Sequence, residues 1–318
     1  MSLKVRRGFT LIELLVVIAI IAILAGLVIV ASGAMMKQAK STKDMGNHRT
    51  IGSATWSFAT DNKGTLLHPR IEPTDDNQST QEEIDRFWVA SHGDDNNGNA
   101  RVETVTNSGG EEIKVELLTA LTDGAAYQYI GDVTVYQSPL DPTIGQTDQF
   151  VSGNTNIPNS RIRSYSLNAF VGVDRGADDW EDYKELFGVE SVYWKSASTI
   201  SQVPQPSNTM CSIGEQNKID SNLPDVGIAT RNESGWLINP AEENGFIKLP
   251  AFWNEGKVNV SYIDGSTGSI KLESDTLEKE ELRGHDSGDQ VIVLGASMEY
   301  KQFKKIMLPG VIGSILDQ

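Results

Sequence analysis

The chain has 318 residues, with 27 basic against 43 acidic side chains and a formal net charge of −16. That acidity excludes nucleic-acid binding by the bulk of the chain, because phosphates would be repelled. A single cysteine, Cys211, excludes an internal disulfide framework, so the fold must rest on its core.

Residues 1–36 depart furthest from globular statistics. Lys4, Arg6 and Arg7 form a short basic head, and from Phe9 to Met36 the only charge is Glu13. The run between Glu13 and Lys37 is long enough to cross a bilayer as a helix. A secretory signal has a shorter apolar stretch, followed by small residues at a cleavage site. A plain signal anchor tolerates the length but gives no reason for Glu13, since a carboxylate in hydrocarbon is costly unless paired. The basic head predicts a cytoplasmic N-terminus with the remainder carried across the membrane.

Arg6-Arg7-Gly8-Phe9-Thr10-Leu11-Ile12-Glu13-Leu14-Leu15 resembles the class III signal of type IV prepilins and type II secretion pseudopilins. In that family a membrane aspartyl peptidase cleaves after the glycine and methylates the new terminal residue. By position, the resemblance implies cleavage between Gly8 and Phe9, an N-methylated Phe9, and Glu13 as the fifth mature residue, where the family carries glutamate. Loss of Lys4, Arg6 and Arg7 would leave 24 basic residues and a formal charge of −19. The new amine of one subunit and Glu13 of its neighbour could then neutralise each other, fixing register more than adding stability. The implied partners are the prepilin peptidase/N-methyltransferase, other pilin or pseudopilin subunits, an inner-membrane assembly platform and the lipid bilayer.

The helical pattern continues past the apolar run. Met45, His48, Ile51, Thr55 and Phe58 recur at helical spacing, while Lys40, Lys43, Asp44, Asn47 and Arg49 are predicted to face elsewhere. Asp61-Asn62-Lys63-Gly64 reads as a stop and turn. A helix from Phe9 to Thr60 would be roughly 75–80 Å long, with Gly26 and Gly33 as places for a bend. The expected organisation is a leader over 1–8, a transmembrane and assembly helix over 9–36, its amphipathic continuation over 37–62, and a globular head over 63–318.

Within the head, residues 72–80 and 92–110 are rich in Asp, Asn, Ser, Thr and Gly and predict long loops. Strands are predicted at 134–136, 164–167, 209–213, 257–263 and 290–294, and a helical piece at 111–121. After Val258, Val260 and Tyr262, the pair Asp264-Gly265 supplies the residues a tight hairpin turn demands. The fold class is α+β: one long N-terminal helix packed on a mainly antiparallel sheet with large loop insertions.

Several pieces of the head resemble a pseudopilin-like group common in Planctomycetes, Verrucomicrobia and Lentisphaerae. They are the helix end from Asn47 through Trp56 and Phe58 to Gly64, the turn Ser138-Pro139-Leu140-Asp141, and Ser164-Tyr165-Ser166-Leu167-Asn168. Pro206-Ser207-Asn208-Thr209 and the segment from Asn254 through Asp264-Gly265 complete the set. Ser138 stands where that group has cysteine, and Asn254 where its closing His-x9-Asp-Gly hairpin has histidine.

Candidate sites in the head are sparse. Asp94-Asp95-Asn96-Asn97-Gly98-Asn99 resembles an oxygen-ligand calcium loop, with Asp94, Asn96 and the backbone at Gly98 as candidate ligands. An EF-hand started at Asp95 would place Ala100 at the obligatory glycine, and a solvated Asn/Asp turn is the alternative. Asp264 with Glu273 is a second cation candidate, on the resemblance to pseudopilins whose heads bind calcium. His48, His68, His92 and His285 make no metal spacing, and Cys211, in a predicted strand, reads as buried. No phosphate loop or nucleophile elbow is present. Trp88, Trp180, Trp194, Trp236 and Trp253 are either core residues or sugar-stacking platforms.

The sequence therefore predicts a non-enzymatic structural subunit. Such a subunit is processed by the peptidase, held in the bacterial inner membrane with its head periplasmic, and assembled into a type II pseudopilus or type IV pilus-like filament. The alternative is a membrane-tethered minor pilin whose head binds polysaccharide or a secreted substrate.

Overall fold

A computed structural model describes residues 11–71, 80–94, 97–106, 112–142, 144, 162–173, 196–215, 235–236, 238, 245–246, 250–254, 256–272, 292–293 and 298–309. The first element is a helix of 51 residues, α1 (Leu11–Asp61). The chain divides into a compact unit over 1–42 and another over 43–318, so the last turns of α1 belong to the same unit as the sheet.

The helix ends as its sequence predicts, through backbone geometry. The Gly64 amide donates to the Ala59 carbonyl at 2.7 Å, closing a Schellman-type turn. Lys63 takes the left-handed position with φ 56°. Asn62 adds a side-chain bond from Nδ2 to the Phe58 carbonyl at 2.8 Å.

After the short helix α2 (Gln81–Ile84), β1 (Val102–Thr106) and β2 (Glu112–Glu116) form an antiparallel two-stranded sheet. This corrects two expectations, a loop over 92–110 and a helix over 111–121. Glu112-Ile113-Lys114-Val115-Glu116 alternates polar and apolar residues, and that period-2 pattern prevails over the helical grouping. Only α3 (Leu118–Thr122) is helical there, followed by α4 (Tyr127–Ile130). The strand predicted at 134–136 is instead a 3-10 turn over Val133–Tyr136, because Asp132 caps it by accepting the Thr134 amide at 2.8 Å.

The main sheet has four antiparallel strands in the order β3 (Tyr165–Leu167), β4 (Met210–Gly214), β6 (Lys257–Tyr262) and β7 (Thr267–Lys271). The intervening β5 (Gly245–Phe246) pairs with β8 (Ile292–Val293), the described part of the strand predicted at 290–294. β6 and β7 are joined by a turn in which Gly265 donates to the Tyr262 carbonyl and Asp264 accepts from the Ser266 amide at 2.9 Å. The connection runs over residues 263–266, so the hairpin is not a two-residue one, and Gly265 takes the left-handed φ of 81° within it.

Both faces of the sheet are covered. Val258 and Val260 point into a cluster with Met210, Ile213, Trp236, Phe303 and Met307. Burying each such apolar side chain contributes about 1.5–3 kcal/mol. Phe303 and Met307 belong to a C-terminal helix, α5 (Met298–Met307). The side-chain amide of Asn168 holds its end by donating to the Met307 carbonyl at 2.8 Å.

The opposite face packs on α1 through Ile51, Phe58 and Ala59, with Leu167, Cys211 and Ile263 in the same cluster. A register shift between Met210 and Ser212 turns both Cys211 and Ser212 toward that helix. Gly52 permits the close approach, since a Cβ there would lie 3.1 Å from the Tyr262 carbonyl oxygen.

Candidate functional site

Two parts of α1 carry features that packing alone does not require. The first is its N-terminal portion. Glu13 lies in the first turn, and the side chains of residues 11–29 are exposed, among them Leu11, Ile12, Leu14, Ile18, Leu24 and Ile29. Among the described residues this is the one helix long and apolar enough to cross a membrane. An all-round apolar helix is satisfied by lipid or by other helices, not by water.

The second feature is a buried polar cluster where α1 meets the sheet. Asp44 and Asn47, predicted to face away from the head, are buried, and their burial corrects that expectation. Asp44 accepts hydrogen bonds from Ser138 Oγ, from Tyr165 Oη at 2.6 Å and from Asn259 Nδ2 at 2.8 Å. One carboxylate thus ties the helix to the Ser-Pro-Leu-Asp turn, to β3 and to β6. Asn47 donates to the Gln137 carbonyl at 2.8 Å, and Ser164 Oγ donates to Asp141 at 2.7 Å within the same turn. One turn along the helix, His48 Nδ1 lies 2.8 Å from Ser212 Oγ, which is itself 2.6 Å from Ser261 Oγ. Burial pushes the His48 ring below its ordinary value of 6.5, with the Asp44 charge acting in the opposite sense. Burial and then the Asp44 charge push the Tyr165 phenol well up.

Residues 3–29 match the family model for the prokaryotic N-terminal methylation motif. Over these residues the chain is type IV prepilin-like. No curated protein and no solved structure matches it. The motif implies processing by a prepilin peptidase and assembly with other pilins, and with the apolar N-terminal helix it fits a single-pass inner-membrane protein. The prepilin-like segment is a structural-subunit signature.

The remaining predicted positions of this prepilin-like chain are distributed as follows. Lys4, Arg6, Arg7, Gly8 and Phe9 lie outside the described residues, as do Asp95, Asn96, Glu273, Trp180, Trp194, His285 and residues 72–79 of the loop predicted over 72–80. Asp94 bridges to Ala100 through the backbone, closing the loop that contains Gly98. Among the described residues no group of three or more His, Cys, Asp or Glu is placed to hold a metal.

Asp264 spends its Oδ1 on the Ser266 amide and hydroxyl, a turn-forming role. Trp88 and Trp236 are fully buried and present no stacking face, whereas Trp253 is half-buried. Cys211 is buried beside Thr55, and burial pushes its thiol up to about 11.

Sequence reasoning missed the polar latch and a second buried pair. Arg163 Nε donates to both Glu116 carboxylate oxygens, at 3.0 and 2.9 Å, and its guanidinium lies over the Trp88 ring. The partners in both sites are distant in sequence, so no local spacing marks them. The one local signal was the resemblance of Ser138–Asp141 and Ser164–Asn168 to fixed elements of the pseudopilin-like group.

Proposed function

We propose that the chain is a structural pilin or pseudopilin subunit, cleaved between Gly8 and Phe9 and N-methylated on Phe9. It is then added to a type II pseudopilus or type IV pilus-like filament through α1. In this reading Lys4, Arg6 and Arg7 hold the leader on the cytoplasmic side and the head is periplasmic. The observation that carries it is Glu13, a carboxylate retained five residues after the cleavage position in a helix otherwise uncharged until Lys37. A membrane anchor gains nothing from that charge. A filament gains register, because the Phe9 amine of the adjoining subunit supplies the counter-charge inside an apolar core.

The test is Glu13→Val. Insertion and cleavage should persist, while incorporation into filaments or cross-linked ladders falls, since leaving one half of a buried pair costs about 3–5 kcal/mol. Equal assembly by the variant and the wild type would overturn the register role.

A further inference from the structure

The latch between α1 and the sheet contains a titratable ring in a dry site. His48 is 1% exposed, and its ring stands edge-on to Tyr165 with centroids 4.6 Å apart. On the Nδ1 side lies a hydroxyl chain, Ser212 to Ser261, that can accept or donate according to the tautomer. On the Nε2 side the nearest charge is Asp44 Oδ2, 3.9 Å away and already accepting from Asn259. Asp44 Oδ1 is occupied by Ser138 and Tyr165. The neutral ring is therefore accommodated, and the charged ring would share a carboxylate that three other donors hold in place.

We propose that the Asp44–His48 turn is an acid-released latch, in which protonation of the His48 ring loosens α1 from β4 and β6 and so weakens the head's hold on the helix. The titratable groups around the ring are few. Asp44 faces it from α1 and Tyr165 from β3, while β6 offers only Asn259 and Ser261. On β4, Cys211 turns to Thr55. In the Ser138–Asp141 turn, Asp141 accepts from Ser164. Lys43 and Arg49 are exposed.

The direction follows from linkage. The folded protein holds the ring below its ordinary 6.5, so the unfolded chain binds the extra proton more readily. This contribution to stability is fully present above 6.5 and is lost as the pH falls through the folded value. The inference does not depend on N-terminal processing or assembly, so it stands or falls separately.

The experiment uses the full chain in detergent micelles with 13C-labelled histidine, titrated from about pH 8 down to 4.5. The His48 ring resonance, identified by its loss in His48→Asn, should titrate below 6.5, or stay neutral until the head loses its dispersed tryptophan signals. The asparagine amide can reoccupy the Nδ1 position beside Ser212, so the thermal midpoint of this variant should fall less than that of the wild type between about pH 7.5 and 5. A His48 that titrates at or above 6.5 with the head intact would overturn the proposal. So would an equal acid-induced fall in the wild type and a folded His48→Asn. Where the variant does not fold, the same resonance is assigned through bonds in the wild type and its titration decides alone.

Discussion

Replacing Asp44 should unfasten the head from its helix, and two substitutions separate hydrogen bonding from charge. Asp44→Leu removes the acceptor for Ser138 Oγ, Tyr165 Oη and Asn259 Nδ2 together, and these partners are themselves buried. Each orphaned buried donor costs about 1–3 kcal/mol. Relief of the buried charge returns part of that, leaving a net loss of about 3–5 kcal/mol.

Asp44→Asn keeps one oxygen for Ser138 and Tyr165 and confronts only the Asn259 amide with another amide, so it should cost about 1–2 kcal/mol. Urea unfolding of a fragment beginning at Lys37 can read both, with Trp88 and Trp236 as buried fluorescent reporters. That fragment lacks the apolar run and should be soluble and folded. The reasoning is refuted if Asp44→Leu unfolds at the wild-type midpoint. It is equally refuted if Asp44→Asn costs as much as Asp44→Leu, which would make charge and not acceptance the operative property.

Gly52 and Cys211 provide further checks. A Cβ at Gly52 would stand 3.2 Å from both Gly265 Cα and Ser261 Cβ. Gly52→Ala should be near neutral, because about 1 kcal/mol of helix propensity offsets the tight contact. Gly52→Val should destabilise by about 1–3 kcal/mol in the same urea assay. The Cys211 thiol, raised to about 11 and enclosed, should resist a thiol-specific reagent at neutral pH in the folded protein and react at once in denaturant. Fast reaction in the folded state would show that β4 is not covered by α1.

Legibility of the fold followed the range of the interactions. The end of α1 was readable because Asp61-Asn62-Lys63-Gly64 acts through bonds within six residues. The β6–β7 hairpin was readable because Val258, Val260 and Tyr262 alternate ahead of a glycine that takes φ 81°. The β1–β2 hairpin was hidden by polar residues around Val102–Thr106, although the alternation in Glu112–Glu116 was available in the sequence.

Asp44 and Asn47 lie off the apolar stripe in sequence, and a polar residue there normally faces away from the core. Their partners Ser138, Tyr165 and Asn259 lie 94, 121 and 215 residues from Asp44, beyond any local pattern. α5 went unread although Phe303, Ile306 and Met307 share a helical stripe, because its anchors Trp236 and Asn168 come from earlier, separate segments. At the N-terminus the reverse held. The motif and the apolar run are wholly local, so the sequence carried the functional assignment while the head supplied none.

Maturation of this chain as a prepilin is decided by the intact mass and N-terminal sequence of the protein extracted from membranes. The expected product is a chain that begins at Phe9 and carries one added methyl group on its amine, with Gly8→Leu remaining uncleaved. A mature terminus after Ala31, or a wild-type chain that retains Met1 through Gly8 in cells with an active prepilin peptidase, would contradict it.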